Sequence, residues 1–382
     1  MIEEKDGHKV GQFGVSGVQS ERDWPYLSFA EIAAIVSSYN AIGCLKEILW
    51  HSRRPYSAAA LIITDRNQKF FIKRHHYHLR NKSSLEKEHA FARHLSQKGL
   101  SISQVMVTAS GESVISQGEW CYEIHEPAIG EDIYRDVMSW EPFFSIDHAY
   151  AAGEMLAKFH NAAQGFKASS RCDQLLIASD HSLMQPDFMS ALVNRTATQK
   201  ALENQLKEKS WQKDIEAVIL PFHQQLKPFL PLIKPLWGHG DWHSSNMTWT
   251  GKGKTAKVAM VLDLGMADYT SALFDLATAL ERNVLQWLLL DTQKNIVVYD
   301  QLEAFLSGYK SIRPLTRTDK QILAAFLPLV HVEFALSEVV YFGALLKDYA
   351  SADIAYYQYL LGHARWFSEK EGQALLQWIA AF

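Results

Sequence analysis

Apolar and polar positions follow one rhythm in the first third of the chain and another in the rest. In "LSFAEIAAIVSSYN" the apolar residues recur at helical spacing, and Ser28 followed by Glu31 has the form of a capping box, so a helix is predicted there. Three short runs rich in β-formers follow, "CLKEILWHS", "AAALIIT" and "KFFIKRH", separated by the turn-forming segments "RRPY" and "DRNQ". Residues 83–98 return to helical spacing, with Leu85, Phe91, Ala92 and Leu95 close to one face and Gly99 as the stop. Two further strands are predicted, in "SQVMVTA" and "EWCYEIHEP". The order helix, three strands, helix, two strands predicts a mostly antiparallel sheet with one helix against it.

After "PAIGED" the pattern becomes mainly helical, as in "AYAAGEMLAKFHNAA". Two segments break it. "WGHGDWHSSN" is polar between apolar stretches, and "KVAMVLDLG" is an apolar run of strand length ending at Asp263. Pro127 and Gly130 mark the change, so the expected division is residues 1–127, a small lobe with an N-terminal arm and helix, and residues 128–382, a large helical lobe.

Composition agrees with two lobes. The chain has 382 residues, 48% of them hydrophobic, more than one compact unit needs. A formal charge of −4 is the wrong sign for a nucleic-acid or anionic-membrane binder. Cys44, Cys121 and Cys172 are odd in number and far apart, which suits neither a disulfide framework nor a zinc site, and a reducing cytoplasm is expected. The most apolar stretch, residues 322–346, contains Pro328, His331, Glu333 and Glu338, so a buried helix is expected and not a membrane span.

The polar insertion raises a question of chemistry. Asp241, Asn246 and Asp263 together offer hard oxygen ligands, which suit Mg²⁺ held beside substrate phosphates. The same residue types also serve turns and caps. Their order adds information. His239, Asp241 and Asn246, then the strand ending at Asp263, then Asp275-Leu276-Ala277 opening a helix, resemble the aminoglycoside phosphotransferase and choline kinase-like family, relatives of the protein kinase fold.

That resemblance implies a two-lobed α+β kinase-like fold and ATP- and Mg²⁺-dependent transfer of a γ-phosphate to a small-molecule hydroxyl, with GTP as an alternative donor. It implies a Lys on the third strand, met by Lys73, and a Glu on the following helix, met by Glu88. Lys73 would contact the α and β phosphates, held by Glu88. Asn246 and Asp263 would carry the metal, and Asp241 would orient the acceptor hydroxyl and take its proton. His239 and Asp275 would brace the loop.

The chain departs from the kinase pattern in its first loop, "HSRRPYS", which has no glycine to cover the phosphates. Ser52 and Ser57 would hydrogen-bond phosphate there, and Arg53 or Arg54 would pair with it or remain solvated turn residues. The run with His75, His76 and His78 reads as a solvated strand end, a positive rim or a metal site. Only eleven residues separate Asp263 from Asp275, and Gly240 stands where protein kinases carry Arg, so a peptide acceptor is disfavoured.

For the acceptor, Glu333, Glu338 and Tyr341 fall on one arc of a helix near 329–346 and would line a pocket or simply form a wet helix face. From residue 281 onward there are 11 Asp/Glu and 9 Lys/Arg, not the acidic trough a polycationic antibiotic would want. A kinase-like regulator that binds nucleotide without transfer, and a protein-modifying enzyme, are the alternative readings.

Overall fold

The computed structural model describes residues 23–382 except 53–55, 136, 138–139, 291 and 294. Arg53 and Arg54 therefore lie outside the described residues, as does most of the N-terminal arm. Helix α1 (Phe29–Val36) starts at the expected capping box, with Ser28 and Glu31 bonding each other's backbone N–H. It buries Ile32, Ile35 and Val36 against the sheet, each stabilising by about 1.5–3 kcal/mol. Its Glu31 also pairs with Arg74 at 2.8 Å and accepts from Tyr122 Oη at 2.8 Å, tying the helix to two strands.

Strands β1 (Leu45–His51), β2 (Ala58–Thr64) and β3 (Lys69–His76) form antiparallel hairpins, as their turns predict. Helix α2 (Lys82–Gln97) follows, capped by Asn81. Strands β4 (Ile115–Gln117) and β5 (Trp120–His125) complete a five-stranded sheet in the order β1-β2-β3-β5-β4. The expected strand "SQVMVTA" is a correction. Val105 makes only an isolated bridge to His125, and Ile115–Gln117 pair with Trp120–Tyr122. The edge beside β5 is split because the chain turns away at Gly111, whose φ is +82°.

The large lobe begins with α3 (Ile146–Ala162). Helices α4 (Phe188–Thr198), α5 (Lys200–Leu206), α6 (Trp211–Val218) and α7 (Leu220–Leu226) lead to strand β6 (Pro235–Gly238). Then come β7 (Met247–Thr250), β8 (Lys257–Val261) and β9 (Asp268–Ser271), forming two antiparallel pairs, β6 with β9 and β7 with β8. Helix α8 (Ala272–Val284) opens with Asp275 in its first turn. Beyond it run α9 (Tyr299–Ile312), α10 (Arg317–Phe326) and α11 (Val332–Val340).

The core of the large lobe reaches across the lobe boundary. Phe91 and Leu95 of α2 belong to it, and the Phe91 ring lies 5.7 Å from Phe159 and 5.3 Å from Trp237. Helix α2 is thus anchored on the side that carries the polar loop. No described helix is long and apolar enough to cross a membrane.

Candidate active site

The segment 239–246 is held from below by one carboxylate. Asp275 accepts the backbone N–H of His239 at 2.7 Å and of Gly240 at 2.8 Å, and a ring nitrogen of His160 lies 3.0 Å away. Three contacts keep the buried Asp275 carboxyl below its usual range: burial pushes it up, but His160, His239 and the Gly240 N–H outweigh that. Gly240 has φ +78°, and a Cβ there would stand 2.5 Å from the Met266 carbonyl, so only glycine fits this turn. Asn283 holds the carbonyl of Trp242 at 2.7 Å. The His239 ring accepts the Asp241 N–H at 3.2 Å and its other nitrogen lies 2.9 Å from the Leu262 carbonyl. His239 and Asp275 therefore sit as braces beneath the loop, and Trp237 and Trp242 are buried in the core.

The loop presents Asp241 and Asn246 side by side. Asn246 Nδ2 donates to Asp241 Oδ2 at 3.0 Å and to the Asp241 carbonyl at 2.9 Å. His243 Nε2 is 3.4 Å from Asp241 Oδ2, and Arg282 Nε is 3.5 Å from Oδ1. Burial pushes the Asp241 carboxyl up, but His243, Arg282 and His239 outweigh it and hold the group well below the usual aspartate range.

Asp263 follows β8 with a left-handed φ of +54°, which turns its carboxylate back toward the small lobe. Its Oδ1 accepts the Gly265 N–H at 3.1 Å and lies 3.1 Å from Lys73 Nζ. A Cβ on Gly265 would come within 2.8 Å of that oxygen. Against the push of burial, Lys73 holds the Asp263 carboxyl down at about 2. Lys73 itself is raised: burial would lower it, but Asp263, Glu123 and Glu88 prevail.

Lys73, Ser57, Asp241, Asn246, Asp263 and Glu338 line one cleft of about 150 Å³ between the lobes. Five separate segments thus converge on one space. The hydrogen bonds that Asn246 and Asp263 already make use Nδ2 of one and Oδ1 of the other. Asn246 Oδ1 and Asp263 Oδ2 accept nothing from the described residues, and such hard oxygens suit Mg²⁺ completed by phosphates and water. Among the described residues no group of three or more His, Cys, Asp or Glu could hold a metal. A cation here would rest on these two protein oxygens.

Other expected residues lie elsewhere. The expected Lys73–Glu88 contact is absent from the ion pairs of the described residues, and Glu88 Oε2 lies 3.1 Å from Arg171 Nη2. The buried Arg171 fork also donates to the carbonyls of Leu264, Gly265 and Ala267 and to Ser84. Glu88 is thereby drawn to the loop after Asp263, because a buried guanidinium needs a carboxylate partner. Ser52 is buried, with its N–H on the Ala59 carbonyl at 2.8 Å, and does not line the cleft.

The expected acceptor residues also separate. Glu333 accepts from the Ser182 N–H and from Arg195 Nη1 at 2.7 Å, away from the cleft. Tyr341 donates to Asp23 at 2.8 Å. Glu338 alone of the three lines the cleft, and Tyr56 Oη donates to it at 2.5 Å. Burial raises the Glu338 carboxyl to about 7. All three are buried, so their arc is not a wet helix face.

The histidine run does not converge on a shared point. His75 and His125 each lie 3.1 Å from Glu123 and His89 lies 2.6 Å from it, whereas His76 stacks on Trp24 and His78 packs against Tyr77. Sequence reasoning missed Arg171, Tyr56, Arg282 and Trp140. Nothing in their local pattern marks them, since each gains its role from a residue more than thirty positions away.

A two-lobed α+β fold, with a cleft lined by a strand lysine, a His-x-Asp loop and a strand-end aspartate, defines the kinase-like class. The model of the phosphotransferase enzyme family matches residues 55–315, and the chain belongs to that family. Among curated proteins, an uncharacterized protein of Synechocystis sp., sll1119, is 28% identical over 210 residues, 55% of this chain and 50% of the relative. The chain thus matches about half the length of that relative. Among solved structures, the amicoumacin kinase hAmiN, in complex with AMP-PNP, Ca²⁺ and Ami, superposes with a TM-score of 0.56 at 14% identity, covering 87% of this chain and 94% of that one. A microcompartment-associated aminopropanol kinase does so with a TM-score of 0.50 at 15% identity, covering 88% and 99%. At these identities the likeness concerns the fold.

Proposed function

We propose that the protein transfers the γ-phosphate of ATP, as its Mg²⁺ complex, to a hydroxyl of a small molecule. The observation that carries this reading is the meeting of Lys73, Asp241, Asn246 and Asp263 in one cleft. Each answers one need of phosphoryl transfer, which depends on positioning and on neutralising phosphate charge. Lys73 supplies a buried ammonium for phosphate oxygens. Asn246 Oδ1 and Asp263 Oδ2 would hold Mg²⁺, which when bound would neutralise phosphate charge. Ser57, on the cleft wall, offers a hydroxyl to phosphate.

Asp241 orients the acceptor hydroxyl and receives its proton. Its acidity matters here. A carboxylate held below the usual range is a weak base, so its main contribution is to aim the hydroxyl, with the proton moving late as the new bond forms. Membership of the phosphotransferase family supports the reaction type, and the two kinases of similar fold support a small-molecule acceptor.

The test is ATP consumption measured with the full chain, Mg²⁺ and a broad panel of sugars, amino alcohols, hydroxy acids and aminoglycosides. Calorimetry measures Mg·ATP binding alongside. Acceptor-dependent turnover is expected. Absence of both turnover and Mg·ATP binding would remove the proposal, and tight ATP binding with no acceptor effect would favour a nucleotide-binding regulator.

A further inference from the structure

Arg282 stands on the side of Asp241 away from the metal-binding amide. Asn246 takes Oδ2 of Asp241, and Arg282 Nε faces Oδ1 at 3.5 Å. The Arg282 side chain lines the cleft and is only 7% exposed. Its guanidinium carbon lies 5.1 Å from the Trp140 ring centroid and 5.4 Å from that of Phe334, so its plane is fixed between two aromatic walls.

This fixed guanidinium is under-used. Its Nε is buried with no hydrogen-bond partner, and among the described residues the side chain donates no hydrogen bond at all. A guanidinium carries five N–H donors in a rigid fork that matches a carboxylate. Three carboxylates lie near it, Asp241, Glu281 and Glu338, the last of which takes the Tyr56 hydroxyl, and none satisfies that fork. Asp241 is bonded by Asn246, and Glu281, 3.7 Å from Nε, accepts Trp140 Nε1 at 3.2 Å with both oxygens. A buried donor such as Nε left open in a cleft is costly unless a ligand completes it.

The cleft is also small. Its volume of about 150 Å³ is shared between the side of Lys73 and Asp263 and the side of Asp241 and Arg282, so the acceptor side suits a small molecule and not an oligosaccharide. Tyr56 crosses from the loop between β1 and β2 to Glu338 of α11, which closes one side.

We propose that the acceptor is a small hydroxy acid whose carboxylate is bound by Arg282 while its hydroxyl faces Asp241. This rests on the phosphotransferase reading and names its acceptor class. The carboxylate is held on the Oδ1 side of Asp241 and the phosphates on the Asn246 side, so the hydroxyl lies between them. The reaction balances simply. The acceptor oxygen bonds the γ-phosphorus, the bond to the β-bridging oxygen breaks, ADP leaves, and the hydroxyl proton passes to Asp241.

The experiment compares matched acceptors that differ only in the anion, glycerate with glycerol, threonate with threitol, and homoserine with its methyl ester. kcat/KM is measured with Mg·ATP, and calorimetry in the presence of Mg·AMP-PNP measures binding of each acid independently of turnover. At least one acid is expected to bind and to exceed its neutral partner by roughly 10- to 100-fold in kcat/KM. Arg282→Met should collapse that ratio towards one, and Arg282→Lys, which keeps the charge and checks folding by its melting curve, should retain part of it.

If neutral or cationic acceptors turn over best, or if no acid binds while Mg·AMP-PNP does, the hydroxy-acid proposal fails and the phosphotransferase reading stands. If Arg282→Met instead weakens Mg·AMP-PNP as much as it weakens the acid, the guanidinium serves the nucleotide phosphate and the proposal also fails. Failure of nucleotide binding in the unaltered protein would sink the phosphotransferase reading itself.

Discussion

Lys73 Nζ lies 3.1 Å from Asp263 Oδ1, joining the third strand of the small sheet to the end of a strand in the large lobe. In the proposed reaction the ammonium and a divalent cation would draw on the same carboxylate, one through each oxygen. Lys73→Met should raise the KM for Mg·ATP at least about tenfold, the loss expected for a charge-assisted contact. It should also change acid stability. The Asp263 carboxyl is held down at about 2, so the stability it contributes is present above its unfolded value of 3.8 and is lost as pH falls towards 2. A melting series from pH 5 to pH 2 should be flatter in the variant.

Asp241→Asn should lower kcat by about 100-fold or more and leave the Mg·ATP dissociation constant within a few-fold of the original. Single-turnover kinetics beside calorimetry separate the two. An equal loss of both would place Asp241 in nucleotide binding.

Glu88 pairs with Arg171, and Arg171 grips the carbonyls of residues 264, 265 and 267. Breaking a buried pair by removing one partner costs about 3–5 kcal/mol. Arg171→Met should therefore lower the melting temperature sharply. Glu88→Gln, which keeps a hydrogen-bond acceptor, should cost less and raise the KM for Mg·ATP less than Lys73→Met does. If the two variants raise that KM equally, Glu88 is the partner of Lys73 during turnover.

Glu338 titrates near neutrality, raised to about 7 by burial. A carboxyl whose folded value is raised costs the fold nothing below its unfolded value of 4.5 and penalises it increasingly as pH rises from there through 7. Glu338→Gln removes the charge and keeps an acceptor for Tyr56. It should raise stability at pH 8 by roughly 1–3 kcal/mol and leave it little changed at pH 4.5. Chemical denaturation at the two pH values is the measurement.

Much of the fold was readable because its causes are local. The capping box at Ser28 and Glu31, the hairpin turns around β2, and the helical spacing through Leu85, Phe91 and Leu95 act over a few residues, and each element formed where they place it. The segment 103–109 was not readable in this way. Its composition suits a strand, but pairing is decided by what already lies along β5, and the hairpin partner Ile115–Gln117 takes most of that edge.

The site divides along the same line. The sequence by itself determined the residue set of the polar loop and its spacing to Asp263 and Asp275, since a braced loop between strands needs Gly240 and a carboxylate at fixed positions. Only the tertiary structure decided the partners. Lys73 meets Asp263, Glu88 meets Arg171, and Arg282 stands open beside Asp241, pairings that span from 41 to 190 residues of chain. The physical reason is burial. A charge in the interior takes whichever opposite charge the packing brings within a few ångströms, and the packing belongs to the whole chain and not to any segment of it.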